Sequence, residues 1–94
     1  MTIVWSPRAI EHLTGLRSYI ARDNPKAASR IAGDLLEAVE RLADLPNLGR
    51  PGRVAGTREL VVRGTPYIIP YRLRGERLEV IGVFHVRQKW PQRL

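Results

Sequence analysis

The sequence predicts an α+β fold in which an N-terminal strand and a helical hairpin pack on an antiparallel sheet of about four strands. Three observations carry this prediction: two proline-led helical patterns in the first half, a proline- and glycine-rich segment in the middle, and three β-rich runs in the second half. Helices with one apolar stripe and a sheet with one apolar face bury those surfaces against each other. A chain of 94 residues suits one core, so we expect a single domain over residues 1–94.

Two helices are predicted, over residues 7–22 and 25–45, after a short alternating strand at residues 2–5. Each helix begins with a proline directly after a good capping residue, Ser6 in the first helix and Asn24 in the second. Apolar side chains then recur every three or four residues, which is the spacing of one helical face. The short connection between the helices predicts an antiparallel helical hairpin.

The second half begins with an irregular segment, residues 46–56, and continues with three β-like runs at residues 58–63, 66–73 and 77–87. The breaks between the runs are short enough for hairpins, which predicts an antiparallel meander. Pro70 lies inside the middle run and has no N–H to donate. We therefore expect a bulge at this position or an exposed strand edge.

The net charge of +7 is confined to the second half of the chain. Residues 1–49 contain six basic and six acidic side chains, whereas residues 50–94 contain ten basic and three acidic ones. Such a one-sided basic field attracts polyanions or an acidic protein partner. The absence of cysteine excludes disulfide scaffolds and thiol chemistry, and no apolar stretch approaches the roughly 20 residues that span a bilayer. A cytoplasmic protein without membrane association is expected.

The segment GVFHVRQKWP, residues 82–91, is the first candidate for a functional site. His85, Arg87 and Lys89 occupy every second position, so on a strand they would share one face. This pattern suits either phosphodiester chemistry or a basic recognition edge. Aromatic residues are interleaved with arginine in this half, as in proteins that bind single-stranded nucleic acid; they are Tyr67, Tyr71, Phe84 and Trp90.

Four stretches carry a resemblance to a known family: VWSPRAIEHLTGLRSYIARDNPKAA, GRPGRVAGTRELVV, PYIIPYRL and VIGVFHVRQKWP. In this order and spacing they resemble the RelE/ParE superfamily of toxins from bacterial type II toxin–antitoxin modules, and more closely its ParE-like branch. The resemblance implies a growth-inhibiting toxin that a cognate antitoxin neutralises in a hetero-oligomer. It implies no cofactor and no metal ion.

The ParE-like branch implies poisoning of DNA gyrase, which is protein binding rather than catalysis. The long, well-capped helical hairpin and the arginine-rich ending are the features that this chain shares with that branch. The residues that we expect to bind the target or the antitoxin are Arg58, Arg63, Arg72, Arg74, Arg87, Lys89 and Trp90.

The RelE-like branch implies a metal-independent, ribosome-dependent mRNA endonuclease, which needs proton carriers and cations around the phosphate. Candidates for the cations are Arg58, Arg72 and Arg87, and candidates for the proton carriers are His85 and Tyr71. However, RelE-like enzymes have a catalytic arginine where this chain has Pro66 or Tyr67, and the usual lysine cluster before that strand is missing. We therefore expect gyrase inhibition, with RNA cleavage and a non-toxic nucleic-acid-binding module as open alternatives.

Overall fold

The computed structural model describes residues 1–94 and contains two helices and six strands. In chain order the elements are β1 (Thr2–Trp5), α1 (Pro7–Ala21), α2 (Pro25–Arg41), β2 (Arg50–Pro51), β3 (Arg58–Val61), β4 (Tyr67–Arg74), β5 (Arg77–Val80) and β6 (Phe84–His85). The sheet has the strand order β1-β5-β4-β3-β2, and β6 pairs with β4. The predicted α+β class is confirmed. Neither helix has the length and apolar character needed to cross a bilayer.

Both helices begin where their capping residues predicted. The Ser6 side chain accepts a hydrogen bond from Ala9 N at 3.0 Å, and the Asn24 side chain accepts one from Ala27 N at 3.1 Å. The second helix ends at Arg41, earlier than predicted. The next three residues donate instead to carbonyls three positions back, in the tighter geometry of a 3₁₀ turn. Pro46 favours this ending, because a residue before proline avoids the α conformation.

The core lies between the helical hairpin and one face of the sheet, which we call the inner face. Alternate residues of β3, β4 and β5 point toward α2, and their side chains are almost fully buried. The main contributors are Leu35, Val39 and Leu42 from α2, with Leu60, Ile69, Tyr71, Leu78 and Val80 from the sheet. Burying a side chain of this size stabilises the fold by about 1.5–3 kcal/mol.

The sheet is mixed, because β1 pairs with β5 in parallel. The pairs β2–β3, β3–β4 and β4–β5 are antiparallel, as predicted for the meander. A parallel pair requires a long connection, and the helical hairpin with β2 to β4 supplies it. The short strand β2 lies inside the segment that was predicted to be irregular and pairs with the start of β3.

Pro70 lies in the central strand β4 and turns its nitrogen away from β3. Val62 N donates to Tyr67 O at 3.2 Å, so these two residues are a hydrogen-bonded pair of the β3–β4 ladder. Hydrogen-bonded and non-hydrogen-bonded pairs alternate along an antiparallel ladder. Pro70 is therefore in a non-hydrogen-bonded pair with β3, and its backbone groups point to the chain on its other side, at the end of β5. There Ile81 N donates to Pro70 O at 2.9 Å. Pro70 cannot return this bond, and the Ser6 hydroxyl donates to Ile81 O at 2.9 Å instead.

The neighbouring chain breaks directly after this point, so the predicted single strand over residues 77–87 is wrong. β5 ends at Val80 and β6 contains only two residues. The register shifts between them, because Ile69 of β4 faces both Gly82 and Val83. This is a β-bulge, and it lies on the partner strand rather than in β4, where we had expected it.

We predict that Ser6→Ala destabilises the fold more than Asn24→Ala. Both substitutions remove a helix cap, which costs about 1 kcal/mol. Only Ser6→Ala also leaves the Ile81 carbonyl without its donor, which adds about 1–3 kcal/mol. Urea unfolding of both variants measures the difference. Equal losses would show that the Ser6–Ile81 bond contributes nothing to stability.

Candidate functional site

The face of the sheet opposite the helices, which we call the outer face, presents Glu59, Pro70, Arg72 and Glu79 by strand alternation. Two chain segments cover it. The loop that follows β2 contacts it through Arg53, and the segment after β6 contacts it through Trp90 and Leu94. Pro70 is fully buried although it faces away from the helices. Much of the outer face is therefore covered by the chain itself.

Glu59 is the buried charge under the covering loop, with 3% of its surface exposed. One carboxylate oxygen accepts from Arg53 Nε at 2.9 Å and from Arg53 N at 2.8 Å, and the other accepts from Arg50 Nη2 at 3.0 Å. Burial raises the pKa of Glu59, but the hydrogen bonds from Arg53 and Arg50 outweigh it, so the pKa lies below its ordinary value. Glu59 is thus an anion that holds the loop to β3.

Trp90 connects the covering loop to the segment after β6. Its ring stacks on Phe84 with centroids 4.5 Å apart and an interplanar angle of 25°, and the Arg53 guanidinium carbon lies 3.6 Å from its centroid. A cation over an indole ring contributes about 0.5–2 kcal/mol. Trp90, one of the predicted binding residues, is therefore engaged within the chain, and a partner would reach its ring only by displacing a neighbour.

The stretch after His85 is a turn, so the expected shared face of His85, Arg87 and Lys89 is wrong. Gln88 N donates to His85 O at 2.9 Å, and Arg87 N donates to His85 Nδ1 at 3.1 Å. These two hydrogen bonds close a turn directly after β6, so the strand ends at His85. The side chains of Arg87 and Lys89 are exposed and form no ion pair.

The other arginines predicted to bind differ in how far they are already occupied. Arg58 donates to Gly49 O at 2.7 Å, and Arg72 donates to Leu94 O at 3.2 Å. The Arg74 guanidinium lies 3.5 Å from the Glu79 carboxylate, and Arg77 of β5 lies 3.7 Å from the same carboxylate. Arg63, two residues after the end of β3, is exposed and forms no ion pair. The free cations of the predicted set are therefore Arg63, Arg87 and Lys89.

Tyr71, the second candidate proton carrier, is inaccessible. Its side chain is fully buried, its hydroxyl donates to Pro46 O at 2.7 Å, and the same oxygen accepts from Gly49 N at 2.9 Å. Burial raises the pKa of Tyr71 above its ordinary value. Tyr71 and Arg58, its partner across the β3–β4 ladder, together hold the connection between α2 and β2.

The structure does not bring the candidate ribonuclease residues together. Arg58 pairs with Tyr71, and His85 pairs with Tyr67, four residues away along β4. At about 3.3 Å per residue, the two ends are about 13 Å apart along the strand. Arg72 lies on the outer face, whereas His85 lies with Tyr67 on the inner face. The candidates therefore form two groups: Arg58, Tyr71 and Arg72 lie at one end, where Arg58 and Arg72 line one cleft, and His85 lies with Arg87 at the other.

Residues 3–90 match the model of the ParE toxin of type II toxin–antitoxin systems, parDE. The chain belongs to the ParE toxin family. It is 46% identical over 90 residues to “Putative toxin Y4kP” of Sinorhizobium fredii, covering 96% of this chain and 93% of that protein. It is 39% identical over 83 residues to toxin RelE2 of Caulobacter vibrioides, covering 88% and 92%.

A solved structure supports the same assignment. The fold is similar to a chain from the chromosomal ParDE toxin–antitoxin system of P. aeruginosa, with a TM-score of 0.84 and 25% identity. The match covers 90% of this chain and 95% of that chain. The ParE-family toxin described here therefore has the fold of the RelE/ParE superfamily that its sequence resembles.

His12 is a structural residue of this ParE-family toxin that the sequence reasoning missed. Its Nδ1 accepts a hydrogen bond from Val83 N at 3.0 Å, and its ring lies edge-on to Phe84 with centroids 5.0 Å apart. Burial, helped by the charge of Arg8, lowers the pKa of His12 and keeps the ring neutral. A signal was present, because His12 follows Ala9 by three residues and so lies on the side of α1 that faces the sheet, where it is half-buried.

We predict that Glu59→Gln destabilises the toxin by about 2 kcal/mol at neutral pH, because hydrogen bonds to a buried carboxylate are replaced by weaker ones. The folded-state pKa of Glu59 is depressed, so its ionic contribution is present above the unfolded-state pKa and is lost as pH falls through the folded-state pKa. The stability difference between wild type and variant should therefore shrink in acid. Denaturant unfolding across a pH series measures it, and a difference independent of pH would contradict the prediction.

Proposed function

We propose that this ParE-family toxin inhibits bacterial growth by binding DNA gyrase and trapping it on cleaved DNA. The observation that carries this proposal is the separation of the candidate ribonuclease residues: Arg58 and Arg72 lie at one end of β4, and the candidate proton carrier His85 lies at the other. The match to the ParE toxin model over residues 3–90 supports the same branch. Under this proposal the protein acts by binding and is not an enzyme.

We further propose that a cognate antitoxin neutralises the toxin in a hetero-oligomer. The similar P. aeruginosa chain comes from a ParDE toxin–antitoxin system. The surface of this chain also suits a partner that is both apolar and acidic. A groove between α2 and β3 presents the half-exposed apolar side chains of Leu48 and Val61. Its charged lining is mixed and includes Arg41 and Arg63 as well as Asp34 and Glu37. The apolar side of an amphipathic segment complements such a groove, and the net charge of +7 attracts acidic residues in that segment.

We predict that the purified toxin makes gyrase accumulate linear, protein-linked plasmid in a supercoiling reaction stopped with detergent. Arg87→Ala should weaken this effect about fivefold, because an exposed, unpaired cation contributes about 1 kcal/mol to recognition. Arg77→Ala is the matched control, since Arg77 is exposed but already lies 3.7 Å from Glu79. It should leave the effect unchanged. Normal supercoiling without cleaved DNA at any toxin concentration would refute gyrase poisoning.

RNA cleavage is the second candidate function, because toxin RelE2 is a relative and because His85 and Arg87 are neighbours. If this candidate is correct, translated mRNA is cut in the ribosomal A site while gyrase stays active, and His85→Ala abolishes cutting. Primer extension on ribosome-bound mRNA measures this directly. If growth stops while both gyrase and mRNA stay intact, both candidates are wrong.

A further inference from the structure

A cleft that the proposed function does not use lies between α1 and the end of the sheet. It has a volume of about 330 Å³, near the lower limit of the roughly 300–1,000 Å³ found for ligand pockets. Both histidines and two of the three tyrosines of the chain line it. Its lining includes Glu11, Gly15 and Tyr19 of α1, with Tyr67, His85 and Gln88.

Gly15 is one of the residues that line this cleft. It lies in the interior of α1, where glycine destabilises a helix relative to alanine. No packing contact requires glycine here, because a Cβ at this position would meet no atom within 4 Å. Glu11 and Tyr19 lie four residues to either side of Gly15, so all three share one helical face. The missing side chain therefore leaves the cleft open between Glu11 and Tyr19.

The walls of the cleft are aromatic. Tyr19 is 70% exposed, so most of its ring is uncovered. Tyr67 is half-buried on the sheet side, and burial together with nearby Tyr19 raises its pKa, which keeps its hydroxyl protonated. The ring of His85 lies edge-on to Tyr67 with centroids 5.5 Å apart. Aromatic side chains exposed in this way are suited to stacking with a flat ligand.

Hydrogen-bonding groups and cations lie at the rim. Gln88 Oε1 accepts from His85 N at 3.2 Å, which leaves the Gln88 amide NH₂ free. His85 Nδ1 accepts from Arg87 N, so the neutral ring carries its proton on Nε2. Glu11 has no ion-pair partner and can accept hydrogen bonds. Arg87 and Lys89 flank Gln88 with free positive charges.

We propose that this cleft holds one unpaired base of a single-stranded nucleic acid, stacked on Tyr19 and Tyr67, while Arg87 and Lys89 contact the adjacent phosphates. Stacking surfaces beside a basic strip are what single-strand binding requires. A basic protein side chain would also suit the tyrosines and Glu11, but the net charge of +7 opposes a basic partner. The proposed binding goes beyond the gyrase proposal, does not depend on it, and cuts no bond.

The test uses labelled oligonucleotides of about 12 nucleotides, within the site sizes of single-strand binders. Fluorescence anisotropy is measured with the DNA strand, the RNA strand of equal sequence, and the DNA duplex. Both single strands, or one of them, should bind at least about tenfold more tightly than the duplex, and the better strand identifies the source of the base. Equal affinity for the duplex would overturn the proposal, because it would show contact with phosphates alone.

Gly15→Ala is the decisive variant and Gly33→Ala is its matched control. Gly33 lies in the interior of α2, and a Cβ there also meets no atom within 4 Å. Both variants should raise the melting temperature by about 3–6 °C, because alanine favours the helix. Only Gly15→Ala places a methyl group in the cleft, between the proposed stacking position and the helix, so it alone should weaken single-strand binding about tenfold, an effect of the size expected for losing one stacked base. Wild-type affinity in Gly15→Ala would overturn the proposal even if its stability rises.

Tyr19→Ala provides a second variant that keeps the fold, since its side chain is largely exposed. It should also weaken single-strand binding about tenfold or more, and unchanged binding would overturn the proposal. The gyrase assay on the same preparations separates the two proposals. Gyrase poisoning without oligonucleotide binding refutes only the cleft proposal, and oligonucleotide binding without gyrase poisoning supports the cleft while refuting the gyrase target.

Discussion

Pro70 is the constraint on which much of this fold depends, because it places a residue without an N–H in the central strand. Its neighbour Ile81 donates one hydrogen bond to Pro70 and would normally receive one in return. The Ser6 hydroxyl supplies that missing bond, and the same hydroxyl caps α1. The first turn of α1 is thereby attached to the sheet at the point where the ladder cannot be completed. A missing donor in β4 thus fixes the position of a helix on the inner face.

The β-bulge that follows fixes the rest of the functional end. Val83 N, which has no ladder partner at the bulge, donates to His12 Nδ1 on the next turn of α1. Gly82 fits beside this contact because a Cβ there would lie 2.8 Å from the Phe84 ring and 3.1 Å from His12 Nδ1. The bulge shifts the register by one residue, so His85 pairs with Tyr67, shares its face and lies beside α1. The aromatic cleft, which Gly15 also lines, exists because the bulge brings His85 next to Tyr67 and α1.

The sequence predicted local features well and distant compensations poorly. Proline after a capping residue located both helix starts, and the β-rich runs located the meander. Pro70 was recognised as a problem, but the bulge lies on a different strand and the substitute donor is Ser6, far away in sequence. Strand periodicity contains no information on such partners. Residue type likewise identified the arginines, but it did not show that Glu59 binds Arg50 and Arg53 or that Trp90 is already stacked.

The basic side chains in the second half of the chain fall into two groups, those with acidic partners and those without. Near Glu59 and Glu79, four arginines stabilise the covering loop and the sheet, and the two carboxylates neutralise half of their charge. After β6 the turn presents Arg87 and Lys89 without acidic partners, directly beside the aromatic cleft. A protein partner that uses these two cations and a nucleic acid held in the cleft would need the same few ångströms of surface. Binding of one would therefore exclude the other.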